Sequence, residues 1–230
     1  ACSPKYIGYA MPAHQPSIIK WCDGVPISTQ FSDPYYSLEN GLAEFQHVFM
    51  SGNKLPQRFG DGFHIAELGF GTGLNLLGAI TAWRNSGTKG KLYYTSFEAF
   101  PLQYSQMAKA HQKFQELNRL SVELEPLWSS EFELPDLKFQ LILGDARQTL
   151  PAWPFKADAW FLDGFSPAKN PVLWEPILMK EVASHTNLGG SFATYTAAGF
   201  VRRGLQESGF KVERIAGFKR KRHMTIGTKT

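Results

Sequence analysis

Cysteine is nearly absent. The 230 residues hold two, Cys2 and Cys22, whose placement spells neither a metal-binding spacing nor a disulfide framework, so both read as spare reduced thiols and no metal is expected. No run reaches the roughly 18 apolar residues of a membrane helix, and the start lacks a basic-then-apolar signal pattern. A cytoplasmic protein with no membrane partner is expected. Internal repeats and low-complexity tracts are also missing, which excludes solenoids and disordered tails. What remains is ordinary globular composition, 43% hydrophobic and 19% charged, at a length that suits one substantial domain plus an extension. The expected division is an extension over residues 1–60 and a domain over 61–230.

Charge is spread unevenly. From Arg202 onward there are nine Lys and Arg against Glu207 and Glu213, a local +7; the whole chain carries +4, so the rest sums to −3. A basic end on a mildly acidic body suggests a polyanion, nucleic acid ahead of membrane.

The chain is organised around Glu67-Leu68-Gly69-Phe70-Gly71-Thr72-Gly73. An apolar run over residues 63–66 reads as a buried strand before it, and residues 74–83 have helical spacing after it. Alternate glycines at a strand-to-helix turn let backbone N–H groups approach a ligand, with a helix N-terminus behind them. A dinucleotide fingerprint is G-x-G-x-x-G with a later acid. Here the pattern is G-x-G-x-G with Glu67 two positions ahead, which resembles class I S-adenosylmethionine-dependent methyltransferases.

Ahead of that turn, residues 17–28 read as a hairpin about Asp23-Gly24, with Pro26 marking an edge strand, followed by a helix over residues 42–50. From residue 63 strands and helices alternate, predicting an α/β doubly wound, mostly parallel sheet of the Rossmann-like kind. Strands are expected over residues 92–97, 139–143, 157–162, 192–195, 210–215 and 223–226. Helices are expected from Pro101 to 117, over 173–185 closed by Gly189-Gly190, and over 198–207.

Open parallel sheets bind ligands at the carboxyl ends of their strands. Four acids fall there: Glu67 in the loop, then Glu98, Asp145 and Asp163. A carboxylate after the second strand can grip both ribose hydroxyls, the role given to Glu98, and Asp145 is placed for the adenine amino group. The stretch Asp163-Gly164-Phe165-Ser166-Pro167-Ala168-Lys169-Asn170-Pro171 should form a stiff loop beside the donor. Similar loops in amino-group methyltransferases hold an amine with an acid and a backbone carbonyl and stack its ring on an aromatic, the positions of Asp163, Gly164 and Phe165.

With Gly69-Phe70-Gly71-Thr72-Gly73-Leu74-Asn75, the 161–171 stretch, Thr194-Tyr195-Thr196-Ala197-Ala198-Gly199-Phe200-Val201-Arg202-Arg203 and the early Ser32-Asp33-Pro34-Tyr35-Tyr36-Ser37, the chain resembles the methyltransferase part of bacterial bifunctional tRNA 5-methylaminomethyl-2-thiouridine biosynthesis proteins. The resemblance implies methyl transfer from S-adenosyl-L-methionine to the aminomethyl arm of a tRNA wobble uridine. It also implies a flavin-dependent oxidase, fused or separate, as partner; with no second glycine fingerprint, no flavin is expected in this chain. Asp163 is then the catalytic residue, holding the neutral amine and taking its proton. Gly69, Phe70, Gly71, Gly73 and Asn75 face the donor's methionine end, and Tyr36 and Asn40 close over it. Lys169, Arg202, Arg203, Lys219, Arg220, Lys221 and Arg222 attract tRNA phosphates. Competing readings are a protein or small-molecule amine acceptor, a non-catalytic RNA-binding module of the same fold, and a dinucleotide-dependent oxidoreductase.

Overall fold

The computed structural model describes residues 17–230, so Cys2 lies outside the described residues. Strands β1 (Ile19–Cys22) and β2 (Val25–Ser28) form the expected hairpin. Asp23 and Gly24 both have positive φ, 48° and 77°, as a primed two-residue turn requires. β2 is not the edge that Pro26 suggests, because the two-residue β3 (Asp33–Pro34) pairs on its other side with Ile27 and Ser28. Pro26 is tolerated there because it joins only as an acceptor, its carbonyl taking the Tyr35 N–H at 3.1 Å. The following helix, α1 (Gly41–Phe45), is capped by Asn40 and runs on as a π-helical stretch, Gln46–Ser51.

The glycine turn joins β4 (His64–Leu68) to α2 (Leu74–Ser86), and β5 (Leu92–Glu98) follows. Pro101 does not open the next helix. Gln103 and Gln106 form a reciprocal capping box that starts α3 (Tyr104–His111), and a 3-10 turn at Gln115–Leu117 separates it from α4 (Asn118–Leu124). Strand β6 (Glu131–Leu134), too short an alternation to be read from sequence, pairs antiparallel with β7 (Leu137–Leu143). Then come α5 (Ala146–Thr149) and β8 (Ala157–Leu162). The expected 173–185 helix is shorter, α6 (Pro176–Ser184), because Pro176 forces an extended Glu175 (ψ 146°) after a 3-10 turn at Pro171–Trp174. Gly189-Gly190 do not close that helix; they lie inside β9 (Thr186–Thr194), where its register with β8 shifts. The chain ends on α7 (Gly199–Glu207), β10 (Phe210–Ala216) and β11 (His223–Lys229).

The main sheet has the order β10-β11-β9-β8-β4-β5-β7-β6. Its central pairings β9/β8, β8/β4, β4/β5 and β5/β7 are parallel, and both flanks are antiparallel. The chain leaves β4 toward β5 on one side and later returns to β8 on the other, so the crevice at the carboxyl end of β4 is the topological switch point. Strands β4 and β8 are buried almost throughout, consistent with a sheet covered on both faces.

The segment before β4 shares the core. Phe45, 1% exposed, packs edge-on against Phe161 of β8 at 6.0 Å, and a Cβ on Gly78 of α2 would lie 2.3 Å from its ring. Buried Asn53 donates to the Trp160 carbonyl at 3.3 Å and accepts from Ser191 Oγ at 2.6 Å, tying the same segment to β8 and β9. Phe45→Ala should therefore cost about 3–5 kcal/mol in urea unfolding, the price of a large core cavity; a loss under about 1 kcal/mol would show that this segment is only loosely docked.

Candidate active site

Gly69, Gly71 and Gly73 all take positive φ (88°, 54° and 75°). At Gly69 the need is steric as well, since a Cβ would fall 1.9 Å from the Asp163 carbonyl oxygen. The β4 and β8 ends are thereby pressed together, with Asp163 N–H donating to the Leu68 carbonyl at 3.0 Å. Over them opens a cleft of about 1210 Å³ that reaches from the glycine turn to Asp145 on one side and to Tyr195 and residues 218–221 on the other.

Glu67 is not in the loop and does not line this cleft. It is the fourth residue of β4, fully buried, accepting Ser96 Oγ at 2.7 Å and Asn75 Nδ2 at 2.8 Å. The same Asn75 nitrogen donates to Asp163 Oδ2 at 2.8 Å. Asn75 thus spends both amide protons on carboxyls and has no donor left for a ligand carboxylate; its free atom is the acceptor Oδ1. Burial pushes the Asp163 carboxyl up to about 7; the Asn75 bond pulls it down, Glu44 pushes it up and Lys221 pulls it down.

Glu98 ends β5 with each oxygen holding one backbone N–H, from Gly71 at 2.9 Å and Phe100 at 2.8 Å. Burial raises its pKa and these bonds oppose the rise. Asp145 caps α5 through the Arg147 N–H, and both of its oxygens are also gripped by the Arg147 side chain. Burial raises the Asp145 pKa, but the Arg147 bonds outweigh it and hold the group below its ordinary value. Beneath the glycine turn His111 bonds the Thr72 carbonyl at 2.7 Å and Ser121 Oγ at 2.8 Å. Burial lowers the His111 pKa, so the neutral ring donates from Nε2 and accepts at Nδ1.

Comparison with known proteins follows the same lines. Residues 105–230, more than half of the chain, match the family described as S-adenosyl-L-methionine-dependent methyltransferase. The chain belongs to this family. It is 42% identical over 224 residues to the tRNA 5-methylaminomethyl-2-thiouridine biosynthesis bifunctional protein MnmC of Hahella chejuensis, covering 91% of this chain and 36% of that one. The protein of the same name in Methylobacillus flagellatus is 38% identical over 95% of this chain and 36% of its own length. The chain thus spans about a third of the length of these curated relatives. The crystal structure of MNMC2 from Aquifex aeolicus superposes with a TM-score of 0.74 at 27% identity, over 94% of this chain and 71% of that one. Spermidine synthase from Thermotoga maritima, at 8% identity and TM-score 0.56 over 95% of this chain and 71% of its own, shares the fold.

Around the cleft the remaining expected residues are placed unequally. Tyr36 lines the cleft, but its ring packs edge-on against Phe114 and its hydroxyl donates to the Ala110 carbonyl at 3.3 Å. Asn40 is exposed and outside the cleft wall, because its side chain is spent capping α1 on the Ala43 N–H at 2.9 Å. Phe165 already stacks on Phe31, centroids 4.7 Å apart, and meets Tyr35 edge-on at 5.0 Å. Lys169 binds the Ser32 carbonyl and lies 3.7 Å from Asp33, whose other oxygen takes the Ser166 N–H at 2.8 Å. Lys219 and Arg220 pair with Glu39 at the cleft rim, at 3.0 and 3.2 Å, whereas Arg202, Arg203 and Arg222 do not line the cleft. Glu44 and Tyr35 also line it and were not read as site residues; a lone acid in a first helical turn and a tyrosine in an aromatic run look like a solvated face and core packing.

Burial pushes the Glu67 carboxyl from an ordinary 4.5 up to about 8, against bonds from Ser96 and Asn75 and with help from the Asp163 charge. Between those pH values the unfolded chain has released a proton that the folded chain keeps, so stability falls as pH rises through the window and levels off above it. Glutamine has no proton to lose. Glu67→Gln should gain on wild type by up to about 1.4 kcal/mol per pH unit across that window in urea unfolding. A stability difference that is constant with pH would contradict the buried protonated carboxyl.

Proposed function

We propose that this methyltransferase domain N-methylates the aminomethyl group on the wobble uridine of tRNA, converting 5-aminomethyl-2-thiouridine to its methylamino form. The observation that carries the reading is the Asp163 carboxyl, held by Asn75 beside the glycine turn in a cleft with room for two ligands. The names of the MnmC relatives, matched over about a third of their length, supply the acceptor class.

The residues present fit S-adenosyl-L-methionine. Asn75 lines the cleft, and its free acceptor Oδ1 suits the donor's ammonium rather than its carboxylate. Glu98 keeps a second lone pair on each oxygen for the ribose hydroxyls. Asp145 meets adenine only if it shares its oxygens with Arg147. When bound, the donor supplies a methyl carbon that passes to the amine nitrogen while the carbon–sulfur electron pair stays on sulfur. The acceptor nitrogen must shed one proton in that exchange.

A primary amine with pKa near 10 arrives mostly as ammonium, which has no lone pair. Asp163, with a pKa near 7, is largely ionised just above neutrality and is a far better base than an ordinary aspartate. It takes one proton from the ammonium, which frees the nitrogen lone pair, and by accepting a remaining N–H it turns that lone pair toward the methyl carbon. The Gly164 carbonyl already accepts Tyr195 Oη at 2.5 Å and has a second lone pair for the amine. Phe165 offers the uridine ring a stacking partner once Phe31 yields. Lys219 and Arg220 at the rim supply phosphate attraction. The flavin-dependent oxidase that the resemblance implies, fused or separate, would prepare the amine.

Labelled methyl from S-adenosyl-L-methionine should appear on tRNA bearing a free aminomethyl wobble uridine and not on tRNA lacking that arm. Asp163→Asn, which keeps an acceptor for Asn75, should lower kcat by about 10²–10⁴ with donor affinity nearly unchanged. Turnover in wild type should rise with pH through about 7 as Asp163 ionises. An Asp163→Asn enzyme with wild-type kcat would remove the base from the mechanism.

A further inference from the structure

Asp163 is not the only carboxyl facing the acceptor end of the cleft. Glu44, 9% exposed, is fixed from two sides: Oε2 accepts the Ser37 N–H at 3.1 Å and Oε1 accepts Lys221 Nζ at 2.8 Å. That same ammonium sits 4.0 Å from the centre of the Tyr195 ring, whose hydroxyl is anchored on Gly164. Glu44, Tyr195, Lys221 and Asp163 line one cleft, and the charges of Glu44 and Lys221 act on Asp163 in opposite directions. A fixed carboxylate at the edge of an aromatic face is what recognises a primary ammonium.

A lysine fills that place in the free protein. Its side chain is 46% exposed and comes from the turn between β10 and β11, so it can swing into solvent without disturbing the sheet. Glu44, with a side chain 12% exposed and tied to Ser37, cannot follow. A shielded carboxylate left without a cation is costly, so departure of Lys221 calls for another cation in its place.

We infer that Glu44 and Tyr195 form the seat for the cationic aminomethyl arm of the acceptor, and that Lys221 is a built-in occupant which the substrate displaces. The inference rests on the amine acceptor proposed above, since a neutral acceptor would not fill the seat. Glu44 captures the ammonium, and Asp163 takes the proton when the arm turns in line with the donor. Lys221 is then a competitor of the substrate and not one of its phosphate contacts. The two roles predict opposite effects of removing it.

The test compares wild type, Lys221→Met and Glu44→Gln in methyl transfer to aminomethyl tRNA. It adds inhibition by the nucleoside 5-aminomethyluridine, which has no phosphate, beside 5-methyluridine, which has no amine. Lys221→Met should lower KM for tRNA and the inhibition constant of 5-aminomethyluridine by about threefold, the worth of an exposed ion pair, and leave 5-methyluridine unaffected. Glu44→Gln should raise both by about tenfold or more. Lys221→Met lies on an exposed turn, so its result stands even if Glu44→Gln folds poorly. A KM or inhibition constant that Lys221→Met raises or leaves unchanged would overturn the seat. Failure of the acceptor assignment itself reads out separately, as wild type that binds S-adenosyl-L-methionine but labels no aminomethyl tRNA.

Discussion

An amide NH₂ has two protons, and Asn75 gives one to Glu67 and the other to Asp163, each at 2.8 Å. Glu67 lies in β4 and Asp163 directly follows β8, the neighbouring strand at the point where the sheet reverses its winding. Bringing them together is possible because Gly69 lets the two strand ends touch, and because the first turn of α2 carries Asn75 back over them. Were both acids fully ionised, two neighbouring negative charges would share one neutral amide, with Ser96 Oγ added only on Glu67. Burial instead raises both pKa values, so protons are retained near neutrality in the region where an amine must lose one.

The rest of the molecule keeps this arrangement shielded on one side and open on the other. The segment before β4 locks onto β8 and α2 through Phe45 and onto β8 and β9 through Asn53. It then supplies Tyr35, Tyr36 and Glu44 to the cleft. Asp33 and Ser32 hold the 164–169 loop from the same side by way of Ser166 and Lys169. The turn between β10 and β11 meets this segment through ion pairs to Glu39 and Glu44, contacts exposed enough to open for a large substrate.

Much of this was legible in the sequence, because the signals were local. The Gly69-Phe70-Gly71-Thr72-Gly73 turn, the runs that became β5, β8 and β11, and the acids at the carboxyl ends of β5 and β8 announce themselves by spacing alone. Helix limits were less legible where proline misled: Pro101 precedes α3 without starting it, and Pro176 cuts α6 short. Pro26 pointed to an edge because sequence does not show that β3 pairs beyond it. Roles that depend on what a side chain already holds were not legible at all. Glu67 reads as a loop acid, yet its oxygens are taken by Ser96 and Asn75; Asn75 gives both amide protons to Glu67 and Asp163 and keeps only Oδ1 free; the Asn40 side chain caps α1. Glu44 lacked any signal, since its partner Lys221 lies 177 positions away.

The central claim is that Asp163 is a carboxyl whose proton affinity is set by burial and restrained by Asn75. The most direct measurement is a carbon-13 NMR titration of the Asp163 side chain in the folded protein, beside the Asn75→Ala variant. The account predicts a wild-type midpoint near 7, far above the ordinary 3.8, and a higher midpoint in the variant, which loses a bond to the ionised form. A wild-type midpoint close to 3.8, or one that Asn75→Ala leaves in place, would contradict it.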